Sequence, residues 1–79
     1  MAKLIITEYT KENEFEPRFE LWLAPDNNAY EGNSFILQSS GFISDMSPEA
    51  VEKELEILRD IAGTFGLVVE EFPEGFNNG

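Results

Sequence analysis

The most regular pattern in the chain is a helical alternation of apolar and acidic positions between Ser47 and Gly66. Apolar residues return at steps of three and four, which predicts a helix with one face against a core. The residues of this stripe are Val51, Leu55, Leu58, Ala62 and Phe65, widened by Ile57 and Ile61. Ser47 is the expected N-cap and Pro48 the first helical residue. Gly63 or Gly66 ends the helix, and we favour Gly66 because Phe65 still falls on the stripe.

The opposite side of this helix carries a row of carboxylates, here called the acidic ladder. Its members are Glu49, Glu52, Glu56 and Asp60. Successive members are about 5 Å apart, given a helical rise of about 1.5 Å per residue. Like charges at this spacing destabilise a helix, and the pairs Glu49–Lys53 and Glu56–Arg59 are expected to offset part of that cost. The ladder is either a solvated face or a surface directed at a basic partner.

Shorter runs on either side of the helix predict strands. The clearest is Arg18 to Ala24, which alternates with period two and is bracketed by prolines. The predicted strands are Lys3 to Tyr9, Arg18 to Ala24, Ser34 to Gln38 and Leu67 to Phe72. Ser39 to Gly41 is the expected position of a bulge or bend.

The resulting order, β-β-β-α-β, predicts an α+β fold. We expect a small two-layer domain with a four-stranded, mostly antiparallel sheet and one helix packed on one face. A helical crossover should bring the last strand beside the first and parallel to it. Residues 1–79 are interpreted as a single domain, with 73–79 as a frayed tail.

This fold leaves the second face of the sheet without a helix. If Phe19, Leu21 and Leu23 face the helix, then Trp22 lies on the open face. The side chains expected beside it are Ile5, Tyr9 and Ile36. An aromatic patch of this kind is a plausible contact surface. The alternative is that loops or the C-terminal tail, through Phe76, cover it.

Composition limits the classes of function. The net charge is −11, from 16 acidic and 5 basic residues. This charge disfavours direct binding to nucleic acid or to an anionic membrane, and it favours a cationic protein partner. The alternative is that the acidity serves solubility alone. The chain contains no cysteine and no histidine, so we expect no catalytic residues, no metal site and no cofactor. The start of the chain shows neither a signal sequence nor a membrane span, and a cytoplasmic protein is the expectation.

In size, charge, missing catalytic residues and compact α+β build, the chain resembles the small acidic proteins that phages encode against host defences, including anti-CRISPR proteins and antirestriction DNA mimics. This resemblance implies an inhibitor that occupies the nucleic-acid groove of a Cas effector or another nucleic-acid enzyme in the host cell cytoplasm. Charge and spacing indicate the acidic ladder as the contact surface, joined by Glu12, Glu14 and Glu16 from the first hairpin. The resemblance assigns no roles to individual residues.

The alternative function is a small protein-interaction module or accessory subunit. Such a module would use the open sheet face around Trp22, and it could form a homodimer through a sheet edge. Loss of binding on neutralising the ladder favours the inhibitor, whereas loss on Trp22→Ala favours the module.

Overall fold

Four strands and one helix make up the part of the chain that the computed structural model describes, residues 2–9, 17–25 and 34–74. In chain order the elements are β1 (Lys3–Tyr9), β2 (Arg18–Ala24), β3 (Phe35–Ser39), α1 (Pro48–Gly63) and β4 (Val68–Glu71). The α+β order expected from the sequence is confirmed. The bounds of β1 and β2 are as predicted, β3 begins and ends one residue later, and β4 is one residue shorter at each end.

The strands form one mixed, mostly antiparallel sheet in the order β3-β2-β1-β4. β2 runs antiparallel to both β1 and β3, whereas β4 lies beside β1 and parallel to it. Parallel neighbours need a long crossover, and α1 supplies it. The predicted topology is therefore confirmed, and β3 and β4 are the two edge strands.

The pairing of β2 with β3 contains one irregularity. Leu21 is opposite Gln38 and Trp22 is opposite Ile36, so Leu37 is an extra residue on β3. The prediction of a bulge or bend at Ser39 to Gly41 is wrong, because the register shift lies at Leu37 and β3 ends at Ser39. The backbone N–H of Ser40 donates to the carbonyl of Phe19 at 2.9 Å, and its hydroxyl accepts from the N–H of Phe19 at 2.8 Å.

The main core lies between α1 and the face of the sheet that it covers. Its buried residues are Leu4, Ile6, Phe19, Leu21, Leu55, Leu58 and Ala62. Leu23 and Val51 pack against this cluster. The prediction that Phe19, Leu21 and Leu23 face the helix is therefore confirmed. Of the predicted stripe of α1, Val51, Leu55, Leu58, Ile61 and Ala62 lie at this core, but Ile57 is 45% exposed, so the prediction that it widens the stripe is wrong.

The two ends of α1 differ in how well the sequence predicted them. At the start, the hydroxyl of Ser47 accepts from the N–H of Ala50 at 3.2 Å, as expected of the N-cap. At the other end, Gly63 is the last helical residue, so our preference for Gly66 is wrong. Both the N–H and the hydroxyl of Thr64 donate to the carbonyl of Ile61, at 3.1 and 2.7 Å, which tightens the final turn. Phe65 consequently lies in the exposed turn that follows, and Gly66 adopts a φ of +70° there.

Candidate functional site

The acidic ladder lies on the solvent-facing side of α1. Glu49, Glu52, Glu56 and Asp60 are all exposed, as the helical spacing predicted. From the first to the last member the row extends about 16 Å along the helix, at about 1.5 Å per residue. The opposite stripe is held in the core by Leu55 and Leu58, so the packing of α1 fixes the direction in which the ladder points.

Arg59 connects one member of the ladder to the sheet. Its Nη1 donates to Oε1 of Glu52 at 3.1 Å, while Nη2 and Nε donate to the two carboxylate oxygens of Glu71 at 2.8 and 3.0 Å. The expected pair of Arg59 with Glu56 is wrong. The planar guanidinium finds a bidentate partner on β4, and a bidentate pair is stronger than a single contact along the helix.

These contacts shift the pKa values of both partners. The hydrogen bonds from Arg59 lower the pKa of Glu71 below its ordinary value of 4.5, against a smaller opposing effect of burial. The same hydrogen bonds raise the pKa of Arg59 above its ordinary value. Glu71 is therefore a firmly ionised carboxylate near neutral pH, and it belongs to the scaffold rather than to the exposed ladder.

Three members of the ladder keep their charge available. Glu49, Glu56 and Asp60 form no ion pair with any described residue, and the expected Glu49–Lys53 pair is likewise not formed. Lys53 nevertheless lies among them: it lines an open depression together with Pro48, Glu49, Glu52 and Glu56. The accessible negative charge of the ladder thus comes chiefly from Glu49, Glu56 and Asp60.

The open face of the sheet carries a chain of polar and aromatic contacts. The indole Nε1 of Trp22 donates to Oε1 of Glu20 at 3.1 Å, and Nη2 of Arg18 lies 3.2 Å from the other oxygen of this carboxylate. Arg18 also stacks over the ring of Tyr9, 4.4 Å from its centre. Glu20 is only 2% exposed, and these partners compensate for burying its charge. Trp22 therefore has a structural role beside any contact role.

The apolar residues expected around Trp22 are aligned but unequally exposed. Ile5, Trp22 and Ile36 are direct neighbours across β1, β2 and β3, as the predicted patch requires. Ile5 and Ala24 are fully buried and Trp22 packs against them. The centre of the predicted patch is therefore closed to a partner, and its accessible part is displaced toward β3. The prediction that Phe76 covers this face lies outside the described residues.

β3 carries three exposed apolar side chains, of which only Ile36 was expected to belong to a site. All of its residues are exposed, with Phe35 at 61%, Ile36 at 46% and Leu37 at 38%. A signal was present in the sequence. Residues 34–43 contain no charged residue, in a chain with 16 acidic ones.

The remaining predictions concern the first hairpin, the C-terminal tail, metal binding and membrane spanning. Glu12, Glu14 and Glu16, proposed as acidic residues of the first hairpin, lie outside the described residues, as does the predicted tail apart from Pro73 and Glu74. Across the ranges 2–9, 17–25 and 34–74, no three acidic side chains come close enough together to hold a metal ion. Within those same ranges, α1 is too short and too polar to cross a bilayer.

Comparison of the chain with protein-family models, with curated proteins and with solved structures gives no match. The candidate sites consequently stand on their own geometry, which offers the acidic ladder on α1 and the apolar surface on β3.

Proposed function

We propose that this chain is a non-enzymatic inhibitor that binds a basic, nucleic-acid-handling protein through the acidic ladder of α1. The observation that carries the proposal is the row formed by Glu49, Glu56 and Asp60, which are exposed and have no ion pair with any described residue. The partner class is a Cas effector or another nucleic-acid enzyme, and the protein would be of the phage anti-defence type. A net charge of −11 supports the choice of a cationic partner.

The mechanism is competition for the groove that normally holds nucleic acid. Lysine and arginine side chains that bind phosphates also form charge-assisted hydrogen bonds with carboxylates. A phosphate backbone presents one charge about every 3.4 Å along a strand, whereas the accessible members of the ladder, Glu49, Glu56 and Asp60, present a sparser row, about 10 Å and about 6 Å apart along the helix. The excess negative charge accelerates encounter with a basic groove, and the bulk of the domain then excludes nucleic acid from it.

Arg59 determines which members of the ladder keep a charge that a partner can contact. Because it pairs with both Glu52 and Glu71, the flank of α1 next to β4 is partly neutralised. Glu49, Glu56 and Asp60 are the members that remain to meet a partner. The absence of histidine and cysteine from the chain supports a binding role over a catalytic one.

A second candidate function is favoured by the exposed apolar side chains of β3. In this alternative the chain is an interaction module whose contact surface extends from Trp22 to Ile36 on the open face. The part of this surface near Trp22 is half-buried, and Ile36 is its accessible end. Binding through this surface would depend on apolar contact and would respond weakly to salt.

The two candidates are separated by capture of partners from host lysate with matched variants. The first variant is Glu49→Gln, Glu56→Gln and Asp60→Asn, which removes three charges from the ladder. The control is Glu8→Gln, Asp45→Asn and Glu74→Gln, which removes three charges that are also exposed but lie elsewhere.

The proposal predicts that the wild type and the control retain the same nucleic-acid-handling protein and that the ladder variant loses it. Retention of that partner by the ladder variant, with loss both on Trp22→Ala and on substitution of the exposed Ile36 by alanine, would instead establish the interaction module. A partner with no basic nucleic-acid groove would overturn the inhibitor proposal.

A further inference from the structure

We propose that the free edge of β3 binds a second copy of this chain, so that two sheets join into one eight-stranded sheet about a twofold axis. β3 is the last strand in the order β3-β2-β1-β4, so one side of its backbone is not paired within the sheet. An unpaired edge is a template for a further strand. Every residue of β3 is exposed, and three of them, Phe35, Ile36 and Leu37, are large and apolar.

The two edges of the sheet differ in charge. On β4, Glu70 is paired with Lys3 at 2.7 Å, and Glu71 is held by Arg59. Charged side chains of this kind protect an edge from pairing with another chain. On β3 and its continuation, residues 34–43 contain no charged residue and no proline. Among residues 34–43, the bulge at Leu37 is the only feature of a kind that protects an edge strand, and no charged side chain supports it.

The net charge of the chain also indicates which partner fits the edge of β3. Each chain carries a net charge of −11, so two copies can approach closely only where carboxylates do not face each other. The charge-free edge at 34–43 meets this condition, and a twofold axis places the same uncharged segment on both sides of the contact. A basic partner, by contrast, finds no carboxylate there with which to pair. A second copy is therefore the occupant that this edge suits.

The geometry of such a dimer has a consequence for the acidic ladder. Antiparallel strands related by a twofold axis perpendicular to the sheet keep the same face upward, so both copies of α1 would lie on one side of the joined sheet. The two ladders would then form one larger acidic surface. The dimer does not require the ladder to bind any partner, so it goes beyond the proposed function and is tested separately from it.

The test is the molar mass in solution, measured by light scattering over a concentration series. The wild type is expected to approach twice 8.9 kDa as concentration rises, and more readily at high salt because salt screens the repulsion. Ile36→Lys, which places a charge in the middle of the edge, should shift the association at least tenfold toward monomer. Val68→Lys is the matched control, because Val68 is an exposed apolar residue on the opposite edge strand.

A monomer at all concentrations and salts would overturn the proposal, as would a dimer that Val68→Lys disrupts and Ile36→Lys does not. Hydrogen exchange of the wild type gives an independent readout if Ile36→Lys fails to fold. Amides of β3 should become more protected as concentration rises, and unchanged protection would contradict the proposal. The ladder variant Glu49→Gln, Glu56→Gln, Asp60→Asn should still dimerise, which separates this result from the fate of the proposed function.

Discussion

Arg59 on α1 and Glu71 on β4 are joined by two parallel hydrogen bonds, at 3.0 and 2.8 Å, which tie the crossover helix to the strand that follows it. This pair determines the electrostatics of the helix surface. It directs Arg59 toward Glu71 and Glu52 and leaves Glu56 and Asp60 without an ion pair to any described residue. A scaffold contact thereby leaves the charges of Glu56 and Asp60 uncompensated by Arg59.

The first prediction concerns the pH dependence of stability. The folded-state pKa of Glu71 lies below its ordinary value of 4.5, so its pairing stabilises the fold fully above that pH and is lost as the pH falls through the lowered pKa. Glu71→Gln should therefore lower the melting temperature at pH 7, and the deficit should shrink toward pH 3. Thermal unfolding followed by circular dichroism over this range measures the effect.

Glu56→Gln is the control for that experiment, because Glu56 is an exposed carboxylate on the same side of the molecule with no ion pair to a described residue. It should leave the melting temperature at pH 7 unchanged or raise it. Equal changes in melting temperature for the two substitutions would show that the Arg59–Glu71 pair does not contribute to stability.

The second prediction concerns the start of α1. Ser47→Ala removes the hydroxyl that accepts from the N–H of Ala50 and should lower the free energy of unfolding by about 1 kcal/mol. Ser47→Asp keeps an acceptor at the same position and should restore most of the loss. Urea unfolding measures both. A Ser47→Ala protein as stable as the wild type would mean that the cap is not formed in solution.

The third prediction concerns the buried carboxylate on the open face. Trp22→Phe removes a hydrogen-bond donor to Glu20, which is 2% exposed, and should cost about 2 kcal/mol of stability. A double-mutant cycle with Glu20→Gln should show a coupling energy above about 0.5 kcal/mol. Strict additivity of the two substitutions would contradict the contact.

The fourth prediction separates the two sides of the helix. Leu58→Ala, at a position 1% exposed, should destabilise the fold by about 2–5 kcal/mol, enough to unfold much of a domain this small. Ile57→Ala, one residue earlier and 45% exposed, should cost about 1 kcal/mol or less. Chemical denaturation measures the free energy of unfolding of both variants. Similar losses of stability would contradict the assignment of Leu58 to the buried face of α1 and of Ile57 to the exposed face.

Much of the fold was predictable because its patterns are local. The period-two alternation from Arg18 to Ala24 and the helical stripe beginning at Val51 each specify an element and its buried face. The order of the elements is compatible with few sheet topologies, and the helical crossover places β4 parallel to β1. The end of α1 was not predictable in the same way, because hydrogen bonds from Thr64 decide it rather than the apolar stripe.

The candidate sites were predictable in outline only. Helical spacing correctly placed the ladder on an exposed face, but the partner of Arg59 is on a strand 12 residues away, and no local rule identifies it. The exposure of β3 depends on α1 lying over β1 and β2, which is a tertiary feature. A charge-free run of ten residues, 34–43, was nevertheless visible in the sequence as a sign of an unusual edge.

We propose that the acidic ladder competes with nucleic acid for a basic partner, and an equilibrium competition measurement tests this most directly. The chain is titrated against its captured partner at several salt concentrations, with and without the nucleic acid that the partner normally binds. We expect the affinity to fall steeply with salt and nucleic acid to displace the chain. The variant Glu49→Gln, Glu56→Gln, Asp60→Asn should bind about tenfold or more weakly, whereas the control at Glu8, Asp45 and Glu74 should bind like the wild type. Binding that is insensitive to salt, undisturbed by nucleic acid and equal in both variants would contradict it.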